Sequence, residues 1–315
     1  MNFSFLHLDS AYQNFFRRVK GGAEKAGFPK FKNRYSSKAF TINGAIKVEP
    51  TRVRLPVIGW MRLMEHDYIP VDADILYATM TERAGNWYIS VTCEIPQPDQ
   101  TTGVGGVIGV DVGIKTLASL STGETFYNPR PIYQYEAKLK RLQRELARRT
   151  RGGKNYKKTL AKKQAVEEKI RNIRGYAQHT ASTAIIDKNP ATVVVESLNV
   201  SGMLKNHKLA RSISDVGMGE ILRQIKYKSD WHGIEILEAD RWYPSSKMCS
   251  ACGHKKEALS LGERIYKCDN CGLVIDRDLN AAINLAALVK GETHPDCLGS
   301  CVDIMAHCEP GSEQA

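Results

Sequence analysis

Between residues 39 and 97 apolar and polar positions alternate in short runs, AIKVE, RVRLP, ILYATMT and NWYISVTC, separated by turn signals such as Arg83-Ala84-Gly85-Asn86. A period of two belongs to strands half-buried on one face, and several such runs predict a small antiparallel barrel or sandwich. Ahead of them, AYQNFFRRVKGG has the pattern of an amphipathic helix ending at a glycine pair. Pro, Gly, Thr and Asp then crowd into PQPDQTTGVGG, residues 96–106, which predicts a domain boundary and a new start near Val104. VIGVDVG, Thr116–Leu120 and Glu124–Tyr127 follow as three strands of an antiparallel meander. There the period changes. Tyr135, Leu139, Leu142 and Leu146, then Val166, Ile170, Ile173 and Ala177, recur at intervals of four, three and four, which predicts two long helices, broken at Gly152-Gly153. After Lys188-Asn189-Pro190 the unbroken run TVVVE predicts a buried strand, and a helical crossover of this kind delivers it parallel to an earlier one. Met218, Leu222 and Ile225 mark another helix closed by His232-Gly233, Ile234–Ala239 a further strand, and a last helix runs from about Asp278 to Val289. The fold class is α/β. Residues 291–315 carry five acids, no Lys or Arg and no period, and are expected to form a mobile tail.

Length adds a prior of about two domains for 315 residues. No run approaches the roughly 18 apolar residues of a membrane span, and MNFSFLHLDS has no basic segment ahead of a long apolar one. The expectation is a soluble, cytoplasmic protein without a membrane partner. Lys and Arg exceed Asp and Glu by 45 − 34 = 11, which favours a polyanionic partner, nucleic acid above all. The excess is local: from Lys138 to Arg174 fifteen basic residues stand against three glutamates, net +12. Lys138, Arg141, Arg144, Arg148, Arg149, Lys157 and Lys158 are therefore candidate phosphate contacts on a helical hairpin spanning 131–188.

Four of the eight cysteines fall in two pairs, Cys249-x2-Cys252 and Cys268-x2-Cys271, fifteen residues apart. This is the spacing of a four-thiolate zinc site, closed and structural because no coordination position is left for a substrate. His254 is expected to be a solvated knuckle residue, and His294, Cys297, Cys301, His307 and Cys308 are too irregularly spaced to form a second site. Asp111 sits among β-branched residues in VIGVDVG and Glu196 ends TVVVE; a carboxylate there is expensive unless it meets a cation. If the two strands are parallel neighbours, both acids emerge at one sheet edge, an arrangement suited to Mg2+ or Mn2+. DRDLNAAINLA offers a third acid, Asp276 or Asp278, of which only one can face the others; Glu238 and Asp240 are weaker candidates. Trp242 and Tyr243 are candidates for stacking on unpaired bases.

GVDVGIKTLASLSTG, VVVESLNVSGML, RWYPSSKMCSACG and YKCDNCGLVIDRDLNAAINLA resemble the blocks of the transposon-encoded TnpB/OrfB family. The resemblance implies a RuvC-type nuclease domain of RNase H-like fold, residues 104–242 and 273–290, interrupted by a zinc ribbon at 243–272. It implies RNA-guided DNA cleavage, with guide RNA and target double-stranded DNA as partners, structural Zn2+ and catalytic Mg2+ or Mn2+. By motif position the catalytic acids are Asp111, Glu196 and Asp278. FFRRVKGG, GFPKFKNR, AIKVEPTRVRLPVIGWMRL and AGNWYIS are similar to the family's wedge, so residues 1–100 are expected to form a partial wedge and helical recognition region with a β-barrel-like fold. Family members usually start earlier, and this chain is expected to begin inside or after that first region. The alternative is a non-cleaving nucleic-acid-binding regulator or an inactive transposase remnant; a guide-independent, structure-selective nuclease is a further rival.

Overall fold

In a computed structural model, residues 3–23, 25–31, 38–95, 103–260 and 262–290 are described. The linker residues 96–102 and the tail 291–315 lie outside them. The chain divides into two compact units, residues 1–96 with 160–165 and residues 97–159 with 166–315.

The first unit opens with helix α1 (Phe3–Lys20), whose last turn carries Arg17, Arg18 and Lys20, cations placed where the helix dipole favours them. Six strands follow: β1 (Ala39–Asn43), β2 (Lys47–Glu49), β3 (Arg52–Leu55), β4 (Gly59–Arg62), β5 (Asp74–Arg83) and β6 (Asn86–Glu94). They form two antiparallel sheets of three, β1-β5-β6 and β2-β3-β4. The β5–β6 hairpin turns at the expected residues, where Ala84 and Gly85 both take positive φ, 50° and 85°, the geometry that matches strand twist. Val53 and Leu55 alternate with exposed arginines along β3 and share one core with Val48, Ala78 and Met80.

The second unit is built on a mixed sheet. β7 (Gly105–Asp111), β8 (Thr116–Leu120) and β9 (Thr125–Tyr127) make the antiparallel meander. Helices α2 (Pro131–Arg148) and α3 (Lys154–Ile186) form a hairpin that breaks where Gly152 takes φ 87°. The hairpin closes on an apolar seam of Leu142, Val166 and Ile170 with Ile132, Tyr135 and Leu139. β10 (Pro190–Glu196) returns parallel to β7, with Val195 beside Val110. Short helices α4 (Val200–Met203) and α5 (Ala210–Val216), helix α6 (Met218–Trp231) and strand β11 (Glu235–Ala239) follow, β11 parallel to β10. The sheet order is β11-β10-β7-β8-β9. A small hairpin, β12 (Ile265–Lys267) with β13 (Val274–Asp276), and helix α7 (Arg277–Ala287) complete it.

Strand alternation sorts the two faces of this sheet. Ile108, Val110, Val193 and Val195 point to one side and pack with Ala181, Ile185, Ile213, Ile221 and Ile225 of α3, α5 and α6. Val107 and Val194 point to the other, where Leu285 of α7 covers them. Asp111 and Glu196 keep step with Val107 and Val194, so both carboxylates belong to the α7 face. No described helix is long and apolar enough to cross a membrane.

Candidate active site

β7 and β10 end side by side at Asp111 and Glu196. The third acid arrives on α7, which lies directly against β7 because residue 109 is glycine: a Cβ there would stand 2.0 Å from the Ala282 carbonyl oxygen and 2.7 Å from the Ala286 amide nitrogen. Ala281 and Ala282, both fully buried, complete the close approach. Asp276 and Asp278 divide their work as helix geometry requires. Asp276 is the N-cap, its Oδ1 accepting from the amides of Asp278 (2.9 Å) and Leu279 (3.1 Å). Asp278 is free of that duty; its Oδ1 accepts two N–H groups of Arg277 at 3.0 and 3.2 Å, and Arg264 stands 4.0 Å away.

The three acids feel one another. Enclosure by the surrounding protein first, then the charges of Glu196 and Asp278, push the Asp111 carboxyl up to about 8, with Arg277 offsetting part of the effect. Arg277 and Arg264 balance part of this charge, and the carboxylate oxygens are hard donors of the kind a divalent cation takes. The two weaker acids are spent elsewhere: Glu238 pairs with Lys226 at 2.6 Å and Asp240 accepts from the Trp242 amide at 2.8 Å.

The loop after β11 borders this site. A cavity of about 450 Å³ is lined by Glu196, Trp242, Ser245, Lys247 and Lys255 among others. Trp242 is 81% exposed, whereas the Tyr243 hydroxyl donates to the Asn284 carbonyl at 3.0 Å and half the ring is buried. The tryptophan is the exposed ring of the two, with the Arg241 guanidinium over it at 5.2 Å from the centroid. Beyond the loop, the Sγ atoms of Cys249, Cys252, Cys268 and Cys271 all lie within 4.8 Å of one another, with 3.6 Å between Cys249 and Cys271 and 3.5 Å between Cys252 and Cys268. A tetrahedral ion with bonds of ~2.3 Å spaces its sulfurs by ~3.8 Å, so the cluster fits zinc. Burial pushes the Cys249 thiol up to about 12, while at Cys252 the His254 amide and Asn270 side chain overcome burial and bring it down to about 6. His254 is exposed and holds the knuckle only through its backbone, which accepts from the Cys249 amide.

On the helical hairpin Lys138, Arg141, Arg144, Arg148, Lys157 and Lys158 are exposed. The first four, spaced by three, three and four, share one broad helix face. Arg149 differs: it bonds the Asn155 carbonyl and Glu145 and so joins α2 to α3. Ser245 has no counterpart among the candidates read from the sequence. Its hydroxyl donates to Glu196 Oε1 at 2.5 Å, yet nothing in RWYPSSKMC distinguishes it from Ser246.

Residues 90–207 match the family described as "Probable transposase", and residues 219–285 match "Cas12f1-like, TNB domain". The chain is 38% identical over 293 residues to a "Putative RNA-guided DNA endonuclease" of Streptomyces pristinaespiralis, covering 89% of this chain and 69% of that protein. It is 33% identical over 301 residues to "Putative RNA-guided DNA endonuclease InsQ" of Escherichia coli (strain K12), covering 90% and 72%. A solved Cas12f1-sgRNA-target DNA complex aligns at 18% identity and a TM-score of 0.43, over 88% of this chain and 77% of that one. By class this is a transposase-related protein. It belongs to the TnpB/OrfB family of transposon-encoded proteins.

Proposed function

We propose that the chain is an RNA-guided, divalent-metal-dependent DNA endonuclease encoded by an insertion sequence, with Asp111, Glu196 and Asp278 as its catalytic carboxylates. The observation that carries this reading is the placing of three acids at two parallel strand ends and one helix start, where burial first, and then the charges of Glu196 and Asp278, lift Asp111 to about 8. The names of the relatives supply the RNA guide and the DNA target. The sheet order, three antiparallel strands followed by two parallel ones, supports an RNase H-like, RuvC-type domain. The first unit's two small sheets support a wedge-like region.

Asp111, Glu196 and Asp278 would hold Mg2+ or Mn2+. When bound there, the cations keep Asp111 ionised, lower the pKa of the attacking water and neutralise the departing 3′ oxygen. Arg277 holds the Asp278 carboxylate through two N–H bonds. Cleavage is tested on a plasmid carrying a sequence matched to the RNA that copurifies with the protein. Magnesium-dependent cutting at that sequence supports the reading; RNA binding without cutting favours a regulator, and cutting without RNA a structure-selective nuclease.

The hairpin's exposed cations would track nucleic-acid phosphates by charge. Replacing Arg141, Arg144 and Arg148 together by Glu is expected to weaken RNA binding and to lower the slope of log affinity against log salt by about 2 to 3. An unchanged slope, measured by filter binding across a salt series, removes the hairpin from the interface. The four cysteines would hold one structural Zn2+. Cys249→Ser is expected to purify without zinc and to expose residues 243–272 to protease, because a closed thiolate site contributes folding energy directly. Wild-type protein with well under one equivalent of zinc would remove the assignment.

A further inference from the structure

Glu196 stands at the end of β10 with one oxygen bonded and the other without a hydrogen bond among the described residues. The bonded oxygen, Oε1, accepts from Ser245, whose side chain is buried at 3% exposure. Ser245 belongs to neither the sheet nor a helix, so something else must fix it. Its carbonyl accepts from Asn284 Nδ2 at 2.7 Å, and the same Nδ2 donates to the Met248 carbonyl at 2.7 Å. One turn earlier on α7, Asn280 donates to the Met248 carbonyl at 2.6 Å and accepts from the Ser250 amide at 2.9 Å. Both asparagines are fully buried. The Asn284 Oδ1 finds no partner among the described residues, an orphan that costs about 1 to 3 kcal/mol. A site filled for stability alone would avoid that cost. Helix α7 thus delivers Asp278 at its start and, through Asn280 and Asn284 further along, clamps the loop that reaches Glu196.

We propose that Ser245 is a positioning residue for Glu196, and that Asn284 holds Ser245 in place from the helix that also carries Asp278. The inference rests on the reading of Glu196 as a ligand of divalent cations. A carboxylate at a strand end rotates about its side-chain bonds, and each rotamer offers a cation a different oxygen. The Ser245 hydroxyl holds Oε1 and so narrows that choice. Partners that orient a ligating carboxylate in this way matter by about 10- to 100-fold in metal affinity or activity. Because Met248 and Ser250 flank Cys249, the clamped loop also continues directly into the cysteine cluster.

Ser245→Ala deletes one buried oxygen and leaves the backbone bond to Asn284 intact; Ser245→Thr keeps the hydroxyl. Mn2+ binding to the full-length protein is measured by electron paramagnetic resonance, alongside bound zinc, melting temperature and guide-directed cleavage across a Mg2+ series. The expected result is a roughly tenfold loss of Mn2+ affinity in Ser245→Ala and a matching rise in the Mg2+ needed for half-maximal cleavage. Zinc content and melting temperature stay at wild-type levels, and Ser245→Thr binds Mn2+ more tightly than Ser245→Ala. Unchanged Mn2+ affinity in Ser245→Ala overturns the proposal, as does loss of zinc and melting temperature in step with Mn2+, which assigns the serine a purely structural role. Wild-type protein that binds no Mn2+ sinks the metal reading and this inference with it. Wild-type protein that binds Mn2+ without cutting removes only the nuclease reading, and the Mn2+ comparison still decides the role of Ser245.

Discussion

Asp111→Asn is expected to abolish guided cleavage and, without added divalent cations, to make the protein more stable at alkaline pH. The two effects share one cause. Burial raises the Asp111 carboxyl most, and the neighbouring charges of Glu196 and Asp278 add to it when no cation is bound. Loss of one acid removes several kcal/mol of transition-state stabilisation, on the order of a thousandfold in rate. For stability, the folded-state pKa of about 8 lies above the ordinary 3.8. Between those values the native chain holds a proton that the unfolded chain has released, so stability falls as pH rises through the window from about 4 to 8. Asparagine has no proton to lose. The variant's advantage should be close to zero at pH 4 and on the order of 5 kcal/mol by pH 8, at about 1.4 kcal/mol for each pH unit. Saturating Mg2+ should reverse the order, because it binds the folded wild type and stabilises it by mass action. Thermal denaturation from pH 4 to 9 checks this; melting temperatures of wild type and variant that move in parallel would show that Asp111 does not titrate as described.

Gly109→Ala is expected to disable the protein from the opposite direction, by pushing α7 off the sheet. The added Cβ would meet backbone of Ala282 and Ala286 at 2.0 and 2.7 Å, and helix backbone cannot rotate aside as a side-chain tip can. Either α7 withdraws or β7 bends, and both uncover Val107, Val194 and Leu285 while carrying Asp278 away from Asp111. Overpacking against rigid backbone costs about 3 kcal/mol, which in a unit of this size lowers the melting temperature by roughly 6 to 12 °C. Gly106→Ala is the control, since its Cβ would find nothing within 4 Å, and it should match the wild type. Equal melting temperatures and cleavage rates for the two variants would show that α7 does not depend on the glycine.

Much of this was legible in residue order. The change of period from two to 3.6 near Tyr135 located the long helices, and Gly152 separated them where expected. The alternation along β5 and β6 and the turn at residues 83–86 marked the hairpin, but that β1 pairs with β5 across three intervening strands was not visible. The cysteine pairs announced a tetrahedral cluster because the knuckles are local structures, complete within a few residues. Asp111 and Glu196 drew attention as charges set in apolar strands.

Sequence alone therefore determined what the backbone settles over short range: strand and helix periods, turns, the thiolate knuckles, and the cost of a carboxylate in a run of valines. The tertiary structure decided which face of the sheet those carboxylates occupy, which of Asp276 and Asp278 caps the helix, that Arg149 joins α2 to α3 and Tyr243 packs on the α7 face, and that Ser245 rather than Ser246 reaches Glu196. The bonds of Tyr243 and Ser245 among these depend on groups 39 to 49 residues apart meeting within about 3 Å. Periodicity gives each element a face to bury, but only the packing of α7 against Gly109 selects the partner that face will meet.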